Sequence, residues 1–88
     1  MITQKKFLIA EQEFERELFG SFDENIKLIE DTLSIDVILR EGNIVLMGEE
    51  KNVDLAYKLM TELQETVING KSLDRQSVTY SLSLLLEG

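Results

Sequence analysis

The residues best suited to bind a ligand lie around a short glycine-led stretch, Gly20–Asp23, which reads Gly-Ser-Phe-Asp and precedes a segment with helical spacing. Backbone N–H groups at a turn and at a helix start can bind phosphate oxygens, so this stretch could contact a nucleic-acid backbone. Asp23 and Glu24 place negative charge where a phosphate would approach, which favours the alternative of a helix–helix turn with an Asp23 cap. The candidate nucleic-acid contacts are Gly20, Ser21, Phe22, Asn25, Lys27 and Arg40.

Two pairs of adjacent carboxylates, Glu30-Asp31 and Glu49-Glu50, are the other residues with possible chemistry. Neighbouring residues of a helix point to different sides, so neither pair favours shared acid–base work or metal binding. The chain has no histidine and no cysteine, so the commonest general base and the thiolate nucleophile are both missing. We therefore predict that this chain is not an enzyme, has no catalytic residues, and binds no metal ion or cofactor of its own.

The triplet Gly70-Lys71-Ser72 matches the end of the phosphate-binding motif GxxxxGK[ST]. Glu65 stands where that motif needs its first glycine, and the triplet follows a helical pattern instead of a strand. We interpret it as a helix stop.

The composition limits the chain to one small domain. Its 88 residues are 43% hydrophobic and 30% charged, which is typical of a globular protein. No apolar run reaches the ~20 residues that a membrane-spanning helix needs, and the N-terminus lacks the apolar core of a signal peptide. A cytoplasmic location is therefore expected. The net charge of −8 disfavours nonspecific binding to a polyanion.

Alternating and helical spacings predict the element order strand, helix, helix, strand, strand, helix. The expected strands are Phe7–Ala10, Ser34–Arg40 and Asn43–Met47. The expected helices are Glu11–Phe19, which would stop at Gly20, then Asp23–Leu33, and a long helix from Glu49 to Asn69. The fold class is α+β, a three-stranded antiparallel sheet with helices on one face. The predicted core consists of Ile26, Ile29, Val37, Leu39, Ile44, Leu46, Val53, Ala56, Met60 and Leu63.

The tail, Ser72–Gly88, is rich in apolar residues and nearly uncharged, and its periodicity fits either a strand or a helix. A single helix would bury one stripe and leave Tyr80 and Leu84 pointing elsewhere. The domain itself, a second chain or a neighbouring domain should cover the exposed groups. The predicted interface residues are Val78, Tyr80, Leu82, Leu84 and Leu85.

Two segments carry a family resemblance. Gly20-Ser-Phe-Asp-Glu-Asn-Ile-Lys-Leu-Ile-Glu-Asp and Gly42-Asn-Ile-Val-Leu-Met-Gly-Glu are similar to the N-terminal KH-like domain of the PhoH-like (phosphate starvation-inducible) ATPase family. In KH domains a GxxG loop clamps the nucleic-acid backbone, but here Asp23 replaces the second glycine. The resemblance implies a KH-like β-α-α-β-β-α domain over residues 1–70. It also implies a C-terminal extra helix or linker over residues 71–88, leading to an ATPase domain.

The resemblance further implies a bacterial cytoplasmic protein whose separate P-loop ATPase domain binds ATP and Mg, with links to phosphate starvation or RNA metabolism. Two functions remain open for this chain. It could act in regulation or docking, with the ATPase domain of the same protein or a second copy as partner. Alternatively, it could bind RNA through the degenerate GxxG loop. The net charge favours docking, and fold ancestry favours RNA. No membrane partner is expected.

Overall fold

The chain folds into a three-stranded antiparallel sheet with helices packed on one face. The computed structural model describes residues 1–87, with Ser21 described by its backbone alone. In chain order the elements are β1 (Ile2–Phe7), α1 (Gln12–Leu33), β2 (Asp36–Arg40), β3 (Asn43–Glu49), α2 (Glu50–Ile68) and α3 (Arg75–Glu87). β3 is the central strand and runs antiparallel to both neighbours. The predicted fold class, including the C-terminal extra helix, is confirmed.

β2 and β3 form the predicted hairpin. Arg40 pairs with Asn43 across a two-residue turn, in which Glu41 and Gly42 have φ angles of 52° and 78°. Left-handed angles at both central positions define a type I′ turn, whose twist matches that of the flanking strands.

The first strand lies earlier in the chain than predicted. It is Ile2–Phe7 rather than Phe7–Ala10, and Leu8, which follows its buried last residue, is exposed. Contacts from far along the chain hold this polar strand in place. The Lys5 ammonium lies 3.0 Å from the Asp54 carboxylate of α2. The local hydrophobic pattern carries no information about such distant contacts, and the predicted position of this strand was therefore wrong.

α1 continues through Gly20, so the predicted helix stop at that residue is wrong. The left-handed residues lie just beyond it, at Phe22 and Asp23, with φ angles of 58° and 60°. The two helices of the predicted order are therefore the parts of α1 before and after this point.

One core, between the sheet and the helices, holds the fold together. Leu39 is the exception among the predicted core residues, because it lies next to the hairpin turn on an edge strand and is 39% exposed. Val78 and Leu82 of α3 are buried in the same core. The predicted core residues confirmed as buried are Ile26, Ile29, Val37, Ile44, Leu46, Val53, Ala56, Met60 and Leu63.

Candidate functional site

The stretch predicted to contact phosphate presents an aromatic ring to solvent. The Phe22 side chain is 98% exposed, and Phe22 and Asp23 both adopt a left-handed backbone, which is rare for a phenylalanine and less so for an aspartate. Gly20 has no positive φ, and a Cβ added there would meet nothing within 4 Å. The geometry therefore does not require glycine at position 20. The Ser21 side chain lies outside the described part of the chain.

The predicted polar contacts do not share one surface. Asn25 is buried, which leaves little of its side chain accessible to a ligand. Lys27 is exposed on α1. Arg40 is exposed at the hairpin end of β2, where it alternates with Leu39 and so points away from the helices. The structure thus places the two cations on opposite sides of the sheet.

Two glutamates of α1 attach the C-terminal segment to the domain. The Leu73 backbone N–H donates to Glu17 Oε1 at 2.8 Å, and the Arg75 guanidinium donates to Glu24 Oε1 at 3.1 Å. Glu24 therefore anchors α3, a role that the sequence analysis missed. Helical spacing could not have revealed it, because the left-handed residues Phe22 and Asp23 interrupt the helical phase between Glu17 and Glu24.

The start of α3 is capped by a reciprocal pair of hydrogen bonds. The Ser77 N–H donates to Asp74 Oδ1 at 2.7 Å, and the Asp74 N–H donates to Ser77 Oγ at 3.0 Å. This is the geometry of a capping box, with serine in the position usually held by Glu or Gln. The hydrogen bonds from Ser77 hold the pKa of the Asp74 carboxyl below its ordinary value of 3.8.

α3 buries one stripe and exposes the other, as the helical alternative predicted. Val78 and Leu82 are buried in this chain's own core, and Leu85 is half-buried against it. Tyr80 is 66% exposed and Leu84 is 50% exposed. Of the five predicted interface residues, Tyr80 and Leu84 are therefore the most available to another surface.

The exposed stripe of α3 carries no charge. We define the α3 outer face as Gln76, Thr79, Tyr80, Ser83 and Leu84, all of which are exposed at the spacing of one helix side. A shallow hollow of ≈ 560 Å³ runs along Gln76, Thr79, Tyr80 and Ser83, with Arg75 at its end. A groove of ≈ 360 Å³ between α2 and α3 is lined by Leu55, Lys58, Glu62, Leu84 and Leu85. These hollows give an apolar partner places to insert side chains.

The Gly70-Lys71-Ser72 triplet ends α2, as interpreted. Gly70 has a φ angle of 87°, its N–H donates to the Val67 carbonyl at 2.9 Å, and the Lys71 N–H donates to the Thr66 carbonyl at 3.1 Å. Both N–H groups satisfy the end of the helix, so they are not directed at a phosphate. These residues do not fit an ATP site.

Across residues 1–87, leaving aside the Ser21 side chain, no group of three or more acidic residues is arranged to hold a metal ion. No helix described for the chain is long and apolar enough to cross a membrane.

Comparisons with curated proteins identify relatives of this chain, although no protein-family model matches it. The PhoH-like protein of Mycobacterium bovis is 39% identical over 69 residues, which make up 78% of this chain and 20% of that protein. The PhoH-like protein of Mycobacterium leprae is 33% identical over 69 residues, with the same coverage of both chains. That of Bacillus subtilis is 27% identical over 67 residues, or 76% of this chain and 21% of that protein. The chain thus spans about a fifth of the length of the relatives it matches.

A solved structure shares the fold. The crystal structure of Dim2p from Pyrococcus horikoshii OT3 matches 93% of this chain and 48% of that chain, with a TM-score of 0.71. The sequence identity is 14%, so the likeness concerns the fold alone.

Proposed function

We propose that this chain is a small, non-catalytic, KH-like accessory domain of a PhoH-like protein, and that its function is docking. In this proposal the α3 outer face binds the ATPase domain of the same protein. In the isolated domain, a second copy takes the place of that partner at high concentration. The relatives are about five times longer than the matched segment, which supports a partner within the same protein.

The observation that carries this proposal is the composition of α3. Between Arg75 and Glu87 the helix has no charged residue, in a chain whose net charge is −8. Arg75 is itself paired with Glu24. An approaching protein therefore meets no like charge on the α3 outer face, and can bury Tyr80 and Leu84. Tyr80 is 66% and Leu84 50% exposed, so burying the exposed part of each side chain contributes roughly 1–2 kcal/mol, about half to two thirds of the value for full burial.

Sedimentation of the wild type against the double variant Tyr80→Ser, Leu84→Ser tests the docking face. We expect the wild type to self-associate as its concentration rises, and the variant to associate at least tenfold more weakly, since tenfold corresponds to about 1.4 kcal/mol. The variant Leu8→Ser, which removes an exposed leucine elsewhere, should behave like the wild type. If the wild type and the double variant are both monomeric throughout, α3 is satisfied within its own domain and the docking proposal fails.

RNA binding through the degenerate loop is the second candidate function, and exposed Phe22 is the observation that favours it, because an aromatic ring can stack on a base. The separation of Lys27 from Arg40 and the net charge of −8 act against it. We therefore expect weak or undetectable binding of single-stranded RNA at physiological salt, measured by fluorescence titration. A submicromolar, salt-sensitive affinity that Lys27→Ala and Arg40→Ala both weaken would make RNA binding the better proposal.

The wider setting follows from the family resemblance. We place the domain beside a P-loop ATPase domain in the bacterial cytoplasm, in a protein that acts in phosphate starvation or RNA metabolism. ATP and Mg would bind that ATPase domain. This domain would influence the ATPase through the docking contact alone.

A further inference from the structure

The face of the sheet turned away from the helices carries a second apolar cluster. Val45 is only 3% exposed, yet it lies outside the helix-side core to which its neighbours Ile44 and Leu46 belong. The strand register places Lys6 and Ile38 on either side of Val45. We define the uncovered sheet face as Lys6, Asp36, Ile38, Arg40, Val45 and Met47, which share this side of the sheet by strand alternation.

The charges of this face are separated along the strands. Lys6 and Arg40 lie toward the hairpin turn, whereas Asp36 lies at the far end of β2 and Glu49 at the far end of β3. The ammonium group of Met1 lies 2.8 Å from Glu49 Oε2, so Asp36 is the principal anion at that end. The uncovered sheet face is thus nearly neutral in a chain of net charge −8. Two copies that approach through it therefore repel each other less than their net charge alone would predict.

We propose that the uncovered sheet face binds the same face of a second copy, with the strands of the two copies antiparallel. A two-fold axis perpendicular to the strands brings the Arg40 end of β2 in one copy over the Asp36 end of β2 in the other. By symmetry this happens twice, as in any isologous contact. This axis passes through the row Lys6, Val45 and Ile38, so Ile38 faces Ile38 and Val45 faces Val45 of the second copy, while the two exposed Lys6 side chains lie at the edge of the contact and extend into solvent. A parallel arrangement with β2 over β2 would place Arg40 against Arg40 and Asp36 against Asp36, so charge complementarity favours the antiparallel one.

The strength of this contact follows from its size. Three strands about 4.8 Å apart and five residues at about 3.4 Å give a patch of roughly 250 Å². A stable interface buries about 800 Å² per partner, so free copies associate weakly. The contact gains occupancy where something else holds two copies together, because tethering gives effective concentrations in the millimolar range.

The test uses the 88-residue chain carrying Tyr80→Ser and Leu84→Ser, so that the α3 outer face does not contribute. Sedimentation equilibrium should show a monomer–dimer equilibrium at about 1 mM protein. Adding Arg40→Glu or Asp36→Lys should each weaken dimerisation at least tenfold. An equimolar mixture of these two variants should restore it, because each then supplies the charge that the other lacks.

A matched pair of variants separates the proposed contact from net charge. Lys27→Glu and Asp31→Lys change the total charge by the same amounts but lie on α1, away from the sheet face. Mixing these two control variants should not strengthen dimerisation in the way that mixing Arg40→Glu with Asp36→Lys does. Three results would overturn the proposal. The Tyr80→Ser, Leu84→Ser chain could stay monomeric at about 1 mM. The added Arg40→Glu or Asp36→Lys change could leave its dimerisation as strong as before, or mixing those two variants could fail to restore dimerisation. None of these results bears on docking through α3, which this background has already lost.

Discussion

Replacing Gly48 by alanine should destabilise the chain, because β3 leaves no room for a Cβ at this position. An added Cβ would lie 2.9 Å from Ile35 Cγ2 and 3.4 Å from Ile35 Cα. Ile35 is buried and β-branched, so its methyl group has no alternative rotamer into which it moves cheaply. Overpacking of this kind costs about 1–3 kcal/mol.

The net effect includes a smaller opposing term. Alanine restricts the unfolded chain more than glycine does, which raises the free energy of unfolding by about 0.4–1 kcal/mol. This gain applies here because Gly48 has no positive φ that alanine would strain. The expected net loss is about 1–2 kcal/mol, or a fall in Tm of roughly 4–16 °C for a domain of this size. Gly20→Ala is the matched control. A Cβ there meets nothing within 4 Å inside α1, so this variant should gain about 0.5–1 kcal/mol.

Urea unfolding followed by circular dichroism measures both variants, and a double-mutant cycle identifies the cause. In an Ile35→Ala background the clashing methyl is gone, so Gly48→Ala should become neutral or slightly stabilising. If Gly48→Ala unfolds at the wild-type urea concentration, or loses equal stability in both backgrounds, the steric explanation is refuted.

Three further perturbations have defined outcomes. Glu30→Ala removes the carboxylate that accepts the Val37 N–H at 2.9 Å on an edge strand, so it should cost about 1–3 kcal/mol and speed amide exchange at Val37. Ile29→Ala should cost about 2–5 kcal/mol in urea unfolding, and a variant as stable as the parent would disprove the core assignment. The lowered pKa of Asp74 means that its cap on α3 contributes stability in full above pH 3.8 and loses it as the pH falls through the lowered value. Asp74→Asn, which also caps but does not titrate, should lack this acid-dependent loss when both proteins are unfolded between pH 7 and pH 2; parallel curves would contradict the capping role.

The elements with local signals were predictable from the sequence. Alternation over β2 and β3, with a glycine in the turn between them, defines a hairpin without knowledge of the rest of the chain. The apolar stripe of α2 likewise defines its buried side. In both cases the residues that determine the element are close to one another in sequence.

The elements held by distant contacts were not predictable. In β1, Lys5 takes a helix-facing position because Asp54 neutralises it and the Tyr57 ring lies beneath its ammonium, 5.3 Å away. In the candidate site, the presence of a glycine predicted a turn at Gly20, whereas the left-handed backbone conformation occurs at Phe22. The conformational propensities of the individual residues predict neither the position of β1 nor the left-handed conformation of Phe22, because contacts with the surrounding structure determine both.

The strand order β1-β3-β2 has a consequence for the chain during its synthesis. Ile2 pairs with Glu49, so β1 has no partner until β3 has been synthesised. At a synthesis rate of about 5–20 residues per second, β1 and the apolar side of α1 remain without β3 for roughly 2–8 s. An unpaired strand is a template for aggregation during this interval, and lysines are a common protection against it. Lys5 and Lys6, which make β1 look unlike a strand, are charges of the kind that oppose such pairing, so we expect their replacement by apolar residues to increase aggregation of the nascent chain.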